Sequence, residues 1–309
     1  MVTSEGSREA TGPLAGRGAV VTGSGQGIGR AIAHELAGLG AGVVVADVGS
    51  ALDGTGADQS LAERVSEEIR TAGGRAVACT EDISDYQAAG RTVAAGVEHF
   101  GSVDILVNNA GITTNAPIWE MDPDYFARAV GVHVLGTFNC TRHVVGAMRE
   151  RGFGRIVNMV SRAGLQGVPG TAGYAAGKGG IFGFSNSVSR DLAPHGITVN
   201  CVNPAATHTR MVTDAVEKLR GQGPDAERRA DGLLAALQTP EQVAVLVAAL
   251  CCDAAAGITG EVFFVRRSEV AVFDPISTAD QSVESESWTP ETLSQALKTL
   301  PLHDLDEPY

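Results

Sequence analysis

Seven short runs rich in Val, Ile and Ala recur along the chain, most of them separated by a segment long enough for a helix. Residues 17–22 (RGAVVT), 41–47 (AGVVVAD), 75–79, 103–108, 155–160, 197–202 and 261–265 read as strands. Residues 27–40, 60–73, 86–100, 171–192 and 240–253 read as helices. Another helix starts at Asp122-Pro123, a capping aspartate with proline in the first turn, and runs to residue 151. Continuously apolar strands, unlike alternating ones, are covered on both faces. When they alternate with helices they form a parallel sheet. The expected fold class is therefore α/β, a doubly wound parallel sheet in a single domain. Residues 1–16 read as a flexible N-terminus and 17–265 as the domain, with a lid segment at 204–239. Residues 266–309 form a C-terminal extension.

Charge and composition narrow the partners. The net charge of −13 argues against nucleic acid and anionic membrane, both of which need a basic face. The longest strongly apolar run, 243–252, is too short to span a bilayer. Residues 1–16 lack the apolar core of a secretory signal. Five scattered cysteines read as reduced thiols in a cytoplasmic protein. The seven histidines show no metal spacing, and no CxxC occurs, so no metal is expected. Ser161 lacks the GxSxG surroundings of a hydrolase nucleophile.

Between the first strand and first helix lies Thr22-Gly23-Ser24-Gly25-Gln26-Gly27-Ile28-Gly29. Glycines there let the backbone approach a pyrophosphate, while the helix N-terminus offers N–H donors. Such a loop makes the expected sheet Rossmann-like. Ile28 stands where a strict GxGxxG has its third glycine. Asp47 ends the second strand, where a carboxylate accepts hydrogen bonds from adenosine ribose and repels a 2′-phosphate. With no Lys or Arg beside it in sequence, NAD is preferred over NADP. Asp82-Ile83 follows the third strand, at a place for the adenine. Asn109-Ala110-Gly111 follows the fourth, where small residues suit close cofactor approach.

A serine, Ser161, precedes Tyr174 by thirteen residues, and Lys178 follows the tyrosine by four. Tyrosine and lysine four apart share one helix face. An ammonium near a phenol favours the phenolate and lowers its pKa. The pair can then exchange a proton with an alcohol near neutral pH. Lysine is rare here, three against twenty arginines, which makes Lys178 conspicuous.

TGxxxGIG at Thr22–Gly29, Asp82, NNAG at Asn108–Gly111, Ser161 and YxxxK at Tyr174–Lys178 together resemble the short-chain dehydrogenase/reductase family over residues 17–265. The insertion DVGSALDGTGAD, the segment NPAATHTRM at 203–211 and the WTPE of the tail are similar to a narrower bacterial branch. That branch is related to the 3-hydroxyacyl-CoA dehydrogenase part of peroxisomal multifunctional enzymes. The resemblance implies that Tyr174 is the acid/base, Lys178 holds the nicotinamide ribose, and Ser161 hydrogen-bonds the substrate oxygen. It also implies that Pro204 and Thr209 meet the nicotinamide end and that the protein is a homodimer or homotetramer. His133 stands where the family has an asparagine supporting a water relay to the lysine. It keeps the relay, replaces it or simply packs. As a free imidazole it would titrate near neutrality. Pro204-Ala205 replaces the family's Pro-Gly.

The expected activity is NAD-dependent interconversion of a secondary alcohol and a ketone. The alternative is a non-catalytic NAD-binding sensor on the same fold. Met211, Val212, Val216, Leu219, Leu233, Leu234 and Leu237 suggest an apolar lid, with Trp119 a further candidate for the pocket. A hydroxyacyl thioester, steroid, terpenoid or polyketide alcohol fits such a lid. Residues 269–274 read as a hairpin partner or a bent continuation of the last strand, and Thr289-Pro290 as a helix start.

Overall fold

The computed structural model describes residues 11–220, 223–273, 284, 285, 287 and 289–299. Strands β1 (Gly18–Thr22), β2 (Gly42–Ala46), β3 (Arg75–Cys79), β4 (Ile105–Asn108), β5 (Gly154–Met159), β6 (Ile197–Pro204) and β7 (Val262–Arg266) are the seven expected ones. An eighth, β8 (Glu269–Val272), joins them, and the sheet order is β3-β2-β1-β4-β5-β6-β7-β8. Every pair is parallel except β7–β8, an antiparallel hairpin. Its turn contains Arg267 at φ 55, a left-handed conformation rare without glycine.

The helices are α1 (Gly27–Gly38), α2 (Ser60–Thr71), α3 (Tyr86–Phe100), α4 (Pro123–Val130), α5 (Gly136–Arg151), α6 (Arg162–Gln166) and α7 (Ala172–Leu192). Four more follow: α8 (Arg210–Arg220), α9 (Pro224–Ala236), α10 (Pro240–Cys251) and α11 (Pro290–Leu297). Alternate strand residues face opposite sides, which divides the core in two. Ala19, Val21, Val43, Val45, Ile105 and Val107 meet Ile32, Leu36, Val65, Ile69, Val243 and Val247 of α1, α2 and α10. Val20, Val44, Leu106, Ile156 and Val199 meet Ala89, Val93, Cys140, Val144, Met148 and Leu192 of α3, α5 and α7.

The expected long helix to residue 151 is interrupted. Asp122 caps α4, accepting from the N–H groups of Asp124 and Tyr125, and Pro123 fills the first turn. Residues Gly131–Leu135 then form one π turn before α5. Helical periodicity is blind to a single wide turn, and such turns concentrate at functional sites. The lid segment, unassigned in sequence, folds as α8 packed on α9. It buries Val216 and Ala230. The five cysteines are free, and burial pushes the thiols of Cys140 and Cys251 up to about 12.

The chain divides into a compact unit ending at Phe273 and a second unit from Asp274. Within the second, Thr289 starts α11 as expected, its hydroxyl accepting from Thr292 N–H at 3.2 Å. Trp288 lies outside the described residues.

Candidate active site

Strand order reverses between β1 and β4, and there the helices following these strands leave on opposite faces. The carboxyl edge opens into a cleft at such a point. The glycine loop, β1 to α1, forms its floor. A side chain at Gly29 would collide with the Gly23 carbonyl, so only glycine lets the first helical turn close on the strand end. Asn109 staples the floor: its Nδ2 donates to the carbonyls of Thr22 (3.0 Å) and Gly23 (2.9 Å). The Thr22 hydroxyl accepts from the N–H groups of Asn109 and Ala110, both at 3.1 Å. The turn-forming amide therefore shapes the cleft by holding two loops together.

Asp47 is not the unpaired carboxylate that its sequence neighbours suggest. Oδ2 accepts from Gly25 N–H and Oδ1 from Gly49 N–H, each at 2.7 Å. Gly25 is thus pinned beneath the cleft, while Gly23, Gln26, Gly27, Ile28, Gly29, Asp47, Asp82, Ile83, Asn109, Ala110 and Gly111 line it. Asp82 accepts from the Ser84 N–H (2.9 Å) and hydroxyl (2.8 Å). On the far side the cleft is lined by Tyr174, Lys178, Pro204 and Thr209. Sequence reading missed Ser50, Ala51, Leu52 and Gly54 of the insertion, which close one wall, and Arg210 of the lid. Arg210 donates to the Ser50 carbonyl at 3.0 Å, bringing a cation three residues beyond Asp47.

Tyr174 and Lys178 share one face of α7. Lys178 is buried and donates from Nζ to the Met159 carbonyl at 2.7 Å, at the end of β5. Its Nζ lies 5.8 Å from the centre of the Tyr174 ring. Burial holds the ammonium down to about 8. The Tyr174 phenol is held above its ordinary value by burial, with the Ser161 hydroxyl opposing. The sequence expectation of a lowered tyrosine pKa counted the neighbouring charge and not the desolvation, which here is larger. Ser161 ends the stretch after β5 and caps α6, its hydroxyl accepting from Ala163 N–H at 3.3 Å. Asn203 of β6, also missed, accepts from Arg162 N–H at 3.0 Å and seats this short helix beside the serine.

His133, in the π turn, is fully buried behind the tyrosine, ring centres 5.4 Å apart and edge to face. Its Nε2 lies 2.9 Å from the Ile112 carbonyl, and its Nδ1 is buried with no partner. Burial, helped by the Lys178 charge, holds the imidazole down to about 3. The ring is therefore neutral across the physiological range, contrary to the titration expected of an exposed histidine. Trp119 is 80% exposed and does not line the cleft, whereas Met211 does. Among the described residues, no three His, Cys, Asp or Glu side chains gather as a metal site would. No described helix is long and apolar enough to cross a membrane.

Comparison with known proteins agrees with this geometry. The short chain dehydrogenase profile matches residues 17–220. The hydroxyacyl-CoA dehydrogenase ChsB1 of Mycobacterium tuberculosis is 37% identical over 93% of this chain and 89% of its own. The peroxisomal multifunctional enzyme type 2 of Drosophila melanogaster is 38% identical over 62% of this chain but 31% of its own. The crystal structure of a short chain dehydrogenase from Mycobacterium avium superposes with a TM-score of 0.77. It shares 34% identity and covers 93% of this chain and 95% of its own. Fold, motif order and these likenesses together make the chain a member of the short-chain dehydrogenase/reductase family, an oxidoreductase acting on alcohol and carbonyl groups.

Proposed function

We propose that the protein is an NAD-dependent dehydrogenase that interconverts a secondary alcohol and a ketone on a lipophilic hydroxyacyl thioester. The observation that carries this is the placement of Tyr174 and Lys178 in the wall of a cleft floored by the glycine loop, with the Ser161 hydroxyl hydrogen-bonded to the phenol. The cleft suits a dinucleotide. Its floor can approach phosphates, and each Asp47 oxygen, having accepted one backbone N–H, keeps a lone pair for a ribose hydroxyl. Residues 23–29 and Asn109 to Gly111 would hold the pyrophosphate and ribose, with Pro204 and Thr209 at the nicotinamide end. Bound there, a nicotinamide supplies or accepts the hydride.

The side chains handle the proton. With its pKa raised, Tyr174 is a phenol at neutral pH and can donate from Oη to a ketone oxygen. In the oxidising direction Oη takes the hydroxyl proton back, and the Lys178 ammonium stabilises the phenolate that precedes this. Ser161 donates a hydrogen bond to the same substrate oxygen. His133, neutral and edge-on to Tyr174, positions the ring, held by its Nε2 against the backbone of Ile112.

Asp47 and Asp82 line the adenosine end, so a 2′-phosphate meets two carboxylates; Glu81 lines it too, but its carboxylate is paired with Arg91 at 2.7 Å. Arg210 lies at the same end as one cation facing the carboxylates of Asp47 and Asp82, its guanidinium donating to the Ser50 carbonyl, and NAD remains the proposed cofactor. The substrate class is supported by the hydroxyacyl-CoA relative and by Met211, an apolar lid residue in the cleft wall. The test is Tyr174→Phe. It should bind NADH within about twofold of the parent while turnover of a 3-hydroxyacyl thioester falls by about three orders of magnitude. Near-normal turnover would remove the acid/base assignment, and a higher kcat/KM with NADP than with NAD would remove the cofactor assignment.

A further inference from the structure

The lid leaves the sheet after β6 and returns before α10, and both ends pass through one side chain. Gln238 is 1% exposed. Its backbone N–H donates to the Ala206 carbonyl at 3.0 Å, and its own carbonyl accepts from His208 N–H at 2.8 Å. These bonds form a one-rung parallel bridge between Thr207 and Gln238, so the outgoing and returning strands of the lid touch at its neck. The side chain then ties that neck to the sheet. Nε2 shares its two hydrogens among the carbonyls of Ala205 (3.1 Å) and Val265 (3.2 Å) and the Thr207 hydroxyl (3.1 Å). Oε1 accepts from Arg267 N–H at 2.7 Å. Arg267 holds the left-handed φ of the β7–β8 turn, and its guanidinium donates to the Ala235 carbonyl at 2.8 Å, at the exposed C-terminal end of α9.

One amide therefore joins the exit of β6, the end of β7, the hairpin turn and the return of the lid. Beyond the neck, the first lid residues lean over the cleft: Thr209 packs close to Gly27, and Arg210 reaches Ser50. We propose that Gln238 is a positioning residue that clamps the neck of the α8–α9 lid and so holds Thr209, Arg210 and Met211 over the dinucleotide cleft. A buried amide with every hydrogen-bonding atom engaged is costly to disturb, because each lost partner is left unpaired away from water. No apolar residue can replace it, since the neck presents carbonyls and an N–H rather than a greasy wall. The proposal rests on reading the cleft as a dinucleotide site, and its test separates the two.

Gln238→Leu keeps the volume and removes the side-chain bonds, whereas Gln238→Glu keeps the acceptor for Arg267 N–H and loses the donors. A core control, Val247→Ala on α10, loses stability without touching the neck. The first readout needs no cofactor: limited proteolysis of the three variants and the parent, with cleavage sites mapped by mass spectrometry. Gln238→Leu should be cut between residues 209 and 237 about tenfold faster than the parent, while the core control, compared at equal distance below its melting temperature, is not. The second readout is NADH dissociation followed by fluorescence, expected to be about tenfold faster in Gln238→Leu, intermediate in Gln238→Glu and unchanged in Val247→Ala. Equal cleavage and equal dissociation in Gln238→Leu and Val247→Ala would overturn the clamp. A parent protein that binds neither NADH nor NADPH would overturn the dinucleotide reading, and the proteolysis would still decide the clamp.

Discussion

The Lys178 ammonium and the His133 ring both lie near the Tyr174 ring centre, at 5.8 and 5.4 Å, and burial dominates both. For Lys178 the sign is definite. Its pKa falls from 10.5 to about 8 on folding, so the folded chain binds the proton less tightly than the unfolded chain. The cost of a buried charge, on the order of 3 kcal/mol, is fully present below pH 8 and disappears as pH rises from 8 to 10.5. Lys178→Met removes that charge and forfeits its charge-assisted bond to the Met159 carbonyl, worth about 2 kcal/mol. The variant should lose turnover yet melt higher than the parent at pH 7, with the difference shrinking toward pH 10. A difference independent of pH would mean that desolvation of the ammonium is not what the site pays. For His133 the buried ring does not titrate near neutrality. His133→Asn should therefore leave the kcat profile between pH 5 and 8 unchanged in shape, with kcat within about tenfold of the parent. A limb near pH 6.5 present only in the parent would place the imidazole in the proton path. Both residues show that a motif names a side chain but not its protonation state.

At the scale of elements, signals that act within a few residues carried through. Asp122 with Pro123 starts α4, and Thr289 with Pro290 starts α11, because caps satisfy the N–H groups of the first turn locally. The π turn at Gly131–Leu135 did not announce itself, since one wide turn barely shifts the apolar stripe. Nor did the choice of a hairpin for residues 269–272, because a bent strand and a hairpin share one sequence pattern. That choice has a measurable consequence. Truncation after Phe273 keeps every β7–β8 bond, including Phe273 N–H to the Val262 carbonyl at 2.7 Å. Truncation after Arg267 strips β8 and leaves β7 as a bare edge. The longer product should melt several degrees above the shorter one in parallel thermal scans. Equal melting temperatures would show that β8 adds nothing to the sheet.

For the whole molecule, we propose that the homodimer or homotetramer implied by the family resemblance pairs through a face of α5 and the turn before it. Leu135 is 49% and Phe138 43% exposed, and Phe138 meets Phe184 of α7 edge to face at 6.4 Å. Apolar side chains grouped on a helix face of so acidic a protein suit contact with a second copy. The double substitution Leu135→Glu with Phe138→Glu should reduce the mass in solution, by light scattering, to that of one 31.8 kDa chain. An unchanged mass, or a parent that already has the mass of one chain, would overturn this assignment. The sequence by itself determined the strands, most of the helices and the order of the glycine loop, Asp47, Asn109, Ser161, Tyr174 and Lys178. It could do so because hydrophobic period, caps and close backbone approach depend on a residue and its near neighbours. Only the tertiary structure decided that Asp47 is tied to Gly25 and Gly49, that Arg210 reaches Ser50, and that Gln238 binds four segments. It also decided that Tyr174 is held as a phenol and His133 as a neutral ring. Those properties come from partners far apart in the chain and from exclusion of water, and neither is written in local order.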